Sequence, residues 1–314
     1  MSRAPRSSGI GVLVALALAV GCASTPEVEP RYRPTQSVLE VVAVLRRHVD
    51  DDTYRFPPAR DFTGRNVYRA SLLRLENLET LHADALRAGT FDDVIAFAKG
   101  RALERIGGYE LAAASYRRAA AQAGPLQHEA RHAAAVCDAL AEAARIEPRT
   151  GEKPPSRERA LAAFDRRRAL LEALLADERE SHYAPVVREE IERADVARAR
   201  YLIGLRGLYP DGDVRALAGV QQLVVTHRES KNTNAHLLLL ADLYTSLATE
   251  YVQEHPPEGL DFDPPRFEEL VEAAARLYEA VSNQDGAPEK LEAARRLEAF
   301  IAFTLKVDRD RFSP

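Results

Sequence analysis

Apolar residues spaced three and four apart, interrupted where Gly and Pro cluster, leave this chain little choice but helix. The first such run covers 37–49, where Val38, Val41, Val42 and Leu45 share one face, and Asp50-Asp51-Asp52 reads as its stop. The same spacing predicts helices over 66–88, 90–106, 109–123, 126–144, 156–180, 185–209, 213–227, 232–254, 263–281 and 287–308. No stretch alternates polar and apolar residues as a half-buried strand does. The expected fold is all-α, an antiparallel array of about eleven helices joined by short turns, a solenoid of helix pairs or a bundle. Residues 147–155 hold three prolines and a glycine, the clearest internal boundary. They divide a helical region over 36–146 from one over 156–314. Leu237 to Leu240 make the helix over 232–254 apolar on nearly every side, which marks it as central. In the last helix Leu291, Ala294, Leu297, Ile301 and Leu305 form the expected packing stripe, with Glu292, Arg295 and Arg296 facing away.

The amino terminus follows a different logic. Arg3 and Arg6 precede an apolar run from Ile10 to Val20, too short to cross a bilayer and suited to the core of an export signal. The run ends Leu18-Ala19-Val20-Gly21-Cys22, which resembles the lipobox of bacterial lipoproteins, with Leu18 one place further back than the family prefers. The resemblance implies a signal peptide over 1–21 and lipid (palmitate-type) attachment at Cys22. Ala23, where an Asp would favour inner-membrane retention, implies sorting to the outer membrane, facing the periplasm. Residues 22–35, with Pro26, Pro30 and Pro34, read as an extended tether. Ordinary secretion and an uncleaved anchor are the other readings of the same residues. No later segment is apolar enough to span a membrane.

Residues 93–126 resemble a tetratricopeptide repeat. Gly100 and Leu103 take the family's small and large positions in the first helix. Gly107-Gly108-Tyr109-Glu110 matches the turn, and Ala112, Tyr116 and Ala119 match the second helix, closed by Gly124-Pro125. Ala96 and Lys99 depart from the family's Trp and Leu. A degenerate second unit starts near Asn234, with Leu240-Ala241 and Tyr244 preceded by His227-Arg228-Glu229-Ser230. A generic Ala-rich bundle is the alternative. The resemblance implies close approach of paired helices at Gly100 and Ala112, with Tyr116 wedged against the next pair. It also implies a concave surface built from first helices. There Val94, Phe97, Arg101 and Arg105 share one face and form the expected partner groove. Phe97 would offer apolar contact, and the arginines would receive an acidic segment or a terminal carboxylate. The implied partners are other envelope proteins or peptides, in assembly or secretion.

Nucleic acid is excluded as a partner by charge. The chain has 48 acidic against 43 basic residues, a net −5, and carries no basic stripe. The sharpest chemical pattern is His128-Glu129-Ala130-Arg131-His132. It satisfies the bare H-E-x-x-H of zinc peptidases, with both imidazoles one helical turn apart and Glu129 as base. A zinc hydrolase is accordingly the rival to a binding scaffold, and a purely structural spacer between membrane and cell wall is the third reading. Arg131 and the small Ala130 and Ala133 fit the peptidase pattern poorly, so the expectation is a protein with no catalytic residue and no cofactor. Cys137, in an apolar helical setting, reads as a packed thiol.

Overall fold

The structure, a computed structural model, describes residues 33–52, 64–88, 91–146 and 156–311. Cys22, the export-signal residues 1–21, most of the tether, Thr90 and the boundary at 147–155 lie outside them. Twelve α-helices and no strand are found among the described residues. They are α1 (Pro34–Asp52), α2 (Val67–Leu81), α3 (Ala83–Ala88), α4 (Asp92–Arg105), α5 (Tyr109–Ala120) and α6 (Gln127–Arg145). There follow α7 (Arg157–Asp177), α8 (Ala184–Gly204), α9 (Gly212–Thr226), α10 (Thr233–Glu254), α11 (Pro264–Ser282) and α12 (Lys290–Arg311). The fold is an all-α helical array, and none of these helices is long and apolar enough to cross a membrane.

Several helix ends follow directly from local chemistry. Asn66 caps α2 by accepting from the Arg69 backbone N–H at 3.0 Å, and the Ser156 hydroxyl takes the Arg159 N–H at the start of α7. Pro34 and Pro264 occupy first-turn positions, where a fixed φ and a missing N–H cost nothing. The α4–α5 turn is closed by Gly107 at φ 77°, a conformation open to glycine, while Gly108 N–H reaches the Leu103 carbonyl at 2.9 Å.

Two ends differ from the sequence reading. α1 continues through Asp52 rather than stopping at Val49. The helix expected over 66–88 is broken at His82, whose φ −132° and ψ 27° start a new direction. The change of direction is what lets Leu86 of α3 bury against Val38 and Ile95.

Packing runs largely in chain order, except that α2 lies on α4 across the short α3, which rests on α1 and α2; α1 also touches α4. One core joins α4, α5, α6, α7 and α8, another α8, α9 and α10, and a third α10, α11 and α12. The Leu237–Leu240 run serves the last two together, so α10 is central, as expected. At the α4–α5 contact a side chain on Gly100 would place its Cβ 2.7 Å from two ring carbons of Tyr116. The fully buried Tyr116 thus lies on Gly100 of its own pair, edge-on to Phe97 at 5.2 Å. Alanines of α6 complete its surroundings.

The face of α12 is a correction. Its buried residues are Ala293, Phe300 and Val307, whereas Leu291 and Leu305 are 80% and 63% exposed. Phe300 and Phe303 turn the helix by joining the aromatic cluster of Tyr278 and Phe267. Arg296, expected outside, instead reaches Asp242 of α10.

Candidate functional site

Beside its α5 contact, α4 opens on a cavity of about 750 Å³. Val94, Phe97 and Arg101 line it from α4, Val42 and Leu45 from α1, and Leu126 and Glu129 from the start of α6. Three of the four groove residues read from the sequence are therefore brought together, at spacings of three and four that put them on one helical stripe. The Arg101 guanidinium carbon sits 5.6 Å from the centroid of the Phe97 ring, and its Nη1 donates to His182 Nε2 at 2.9 Å. Burial works against the charge of Arg101, but Glu104 and then the hydroxyls of Tyr116 and Tyr183 outweigh it and hold its pKa above the ordinary value. Burial, followed by Arg101, pushes the His182 imidazole below its usual value. It is therefore neutral at pH 7 and free to accept the Arg101 hydrogen bond.

Arg105 is the exception among the four. It lines a different cavity, at the far end of α4, with residues of α2 and α8.

Beneath the α4 stripe lies a buried polar cluster that sequence reasoning missed. Glu104, 2% exposed, accepts through Oε2 from the hydroxyls of Tyr116 (2.8 Å) and Tyr183 (3.1 Å), with the Cys137 thiol at 3.9 Å. Its other oxygen, Oε1, has no hydrogen-bond partner among the described residues. Burial first, then the Glu104 charge, raises the pKa values of Tyr183 and Cys137, so both stay protonated and act as donors. A signal was present: Glu104 falls one turn beyond Gly100, on the face that packs on α5. A carboxylate there requires donors from neighbouring helices.

The H-E-x-x-H residues open α6 as the spacing implied, but their side chains go to different places. His128 is exposed. His132 Nε2 meets Glu178 Oε1 at 2.8 Å, and Glu129 points towards His182, 3.7 Å from its Nε2. Among the described residues no three His, Cys, Asp or Glu side chains gather as a metal site would require.

A second missed feature is α8, whose acids point in every direction and are nearly all matched. Glu190 takes the Tyr109 hydroxyl and Arg193 Nη1, both at 2.5 Å, with Arg167 at 3.6 Å. Asp195 pairs with Arg168 and with His227. Glu192, 6% exposed, accepts from His236 Nε2 and Ser230 Oγ at 2.6 Å and from Asn232 Nδ2 at 3.2 Å. Burial alone would raise the Glu192 pKa; the bonds from His236, Ser230 and Asn232 overcome it and hold the carboxyl below its ordinary value. The His227–Ser230 turn thus anchors α9 and α10 to α8.

No protein-family model matches the chain, and a search of curated proteins finds no significant match.

Proposed function

We propose that this protein is a lipoprotein tethered through Cys22 to the periplasmic face of the outer membrane, and that its helices form a tetratricopeptide-type scaffold that works by binding other envelope proteins or peptides. The observation that carries the reading is the cavity framed by α1, α4 and α6, lined by Val94, Phe97 and Arg101. It offers an apolar wall beside a guanidinium whose charge is held by Glu104, the pairing that receives an apolar side chain next to a carboxylate. The buried tyrosines and carboxylate beneath it fix that wall in place rather than supplying a reactive group. In the Cys22 part of the reading, several acyl chains on one residue, at roughly 0.8 kcal/mol per buried methylene, hold the body to the bilayer without a spanning helix.

Cys22→Ala separates the anchor from the body. The variant is expected in the soluble envelope fraction after export, with the unaltered chain in the membrane fraction; recovery of both from membranes would refute lipid tethering. The cavity is tested by photo-crosslinking from Phe97.

A further inference from the structure

The Arg101–His182 contact joins a cation to a titratable base at the edge of the Phe97 cavity. A guanidinium carries only donors, so the 2.9 Å bond from Arg101 Nη1 requires a lone pair on His182 Nε2 and places the ring proton on Nδ1. The same Nε2 lies 3.7 Å from Glu129 Oε1. One nitrogen therefore faces two groups of opposite charge and serves one of them at a time. Without a proton it accepts from Arg101 and offers Glu129 nothing. With a proton it can no longer accept, it repels the guanidinium, and a closure of about 0.8 Å makes a charge-assisted bond to Glu129.

The surroundings let this exchange run. His182 sits in the turn between α7 and α8, and its side chain and that of Glu129 are each 41% exposed, so neither is locked in a core. Facing the imidazole are Arg101 and Glu104 from α4 and Glu129 and His132 from α6, with the Tyr183 ring packed on it at 4.2 Å. Glu104 is held by Tyr116 and Tyr183, and His132 is engaged by Glu178, just past the end of α7. That leaves Arg101 and Glu129 as the competing partners. Both line the cavity of about 750 Å³, while His182 is not among the lining residues. With His182 neutral, a guest carboxylate meets an Arg101 already engaged and a Glu129 that repels it. With His182 protonated, Arg101 is released and the imidazolium offsets Glu129, and both changes favour the same guest.

We propose that His182 is a proton-operated latch on this cavity: protonation at Nε2 breaks its bond to Arg101, moves the imidazole to Glu129, and turns the cavity towards carboxylate-bearing guests as pH falls. The exchange of partners stands on the local geometry, while its effect on guests rests on the proposed function of the cavity. Burial and the Arg101 charge set the exchange on the acid side of 6.5, the ordinary imidazole value.

The test uses the purified full-length chain, 15N-labelled at histidine and arginine and followed by NMR through the pH range, with His182→Gln to assign the signals. An unprotonated Nε2 is expected near pH 7.5, with a midpoint below the ordinary imidazole value. Glu129→Gln should lower that midpoint and Arg101→Gln raise it, each by about half a pH unit. The Arg101 Nε signal should move with the same midpoint and stay still in His182→Gln. A rhodamine-labelled peptide of alanines ending in leucine, with a free carboxylate, supplies the guest. By anisotropy it should bind about threefold or more tightly near pH 5 than near pH 7.5. Most of that gain should vanish in His182→Gln and for the peptide's C-terminal amide. A neutral ring protonated on Nε2, or an Arg101 signal indifferent to His182, would overturn the latch. So would a peptide bound equally at both pH values, a result that would leave the cavity standing as a binding site. A peptide bound at neither pH, with the exchange seen at His182 and Arg101, would support the latch and count against the cavity's proposed function.

Discussion

Tyr116→Ala should lower the unfolding free energy by about 4 kcal/mol, the range for deleting a fully buried aromatic side chain. The ring fills the space between α4 and α5, and its hydroxyl is one of two tyrosine donors to Glu104. The sharper consequence concerns Gly100. Gly100→Ala in the parent places a methyl 2.7 Å from the Tyr116 ring, and overpacking of this kind costs about 1–3 kcal/mol. That outweighs the ~1 kcal/mol an alanine gains over glycine inside a helix. Without the ring only the gain remains. The same Gly100→Ala change should therefore destabilise the parent and stabilise the Tyr116→Ala protein. Urea unfolding midpoints of the four proteins read the inversion directly. Equal destabilisation in both backgrounds would mean that the ring is not what demands glycine.

His236→Ala should cost about 3 kcal/mol at neutral pH, because it leaves the carboxylate of Glu192 buried with Ser230 and Asn232 as its remaining donors. The sign of the pH dependence follows from the depressed pKa of Glu192. A carboxyl held lower in the fold than in the unfolded chain stabilises fully above its unfolded value, near 4.3, and loses that contribution as pH falls through the folded value. Removing the imidazole leaves burial to act in the opposite direction. The difference between parent and variant should be largest near pH 7 and shrink as pH falls through the depressed folded value of Glu192, vanishing once the carboxyl is protonated in both. Denaturant midpoints across that range measure it, and a gap that widens on acidification would contradict the assignment. Ser230→Ala, which removes one neutral donor, should cost about 1 kcal/mol.

Elements with strong punctuation were legible in the sequence; contacts across long separations were not. Gly107-Gly108, Asn66, Pro264 and the Leu237–Leu240 run each act within a few residues, so the turn, the starts of α2 and α11 and the central place of α10 could be read from the chain. The α4 stripe was legible for the same reason. Arg105 shows where such reading stops: it keeps the angular position of Val94, but eleven residues carry it about 16 Å along the axis, past the reach of α1 and into that of α2 and α8. In α12 two apolar stripes compete, and the winner is set by aromatic partners on α11 and before it, which no local pattern reveals. The pairing of the α8 acids leaves no local signature, because their partners lie as far as 81 positions away, as with Tyr109 and Glu190. His82 breaks a helix without glycine or proline, for the sake of burying Leu86.

The central claim, that the α4 cavity is where partners bind, is tested most directly by a photo-reactive phenylalanine analogue at Phe97 in the full-length chain in living cells, with the same group at Val225, an exposed position on α9, as reference. A discrete adduct from Phe97, absent from Val225 and lost when Arg101→Glu is added, is the predicted result. A folded, membrane-associated protein that yields no adduct from Phe97, or the same adduct from both positions, would contradict it.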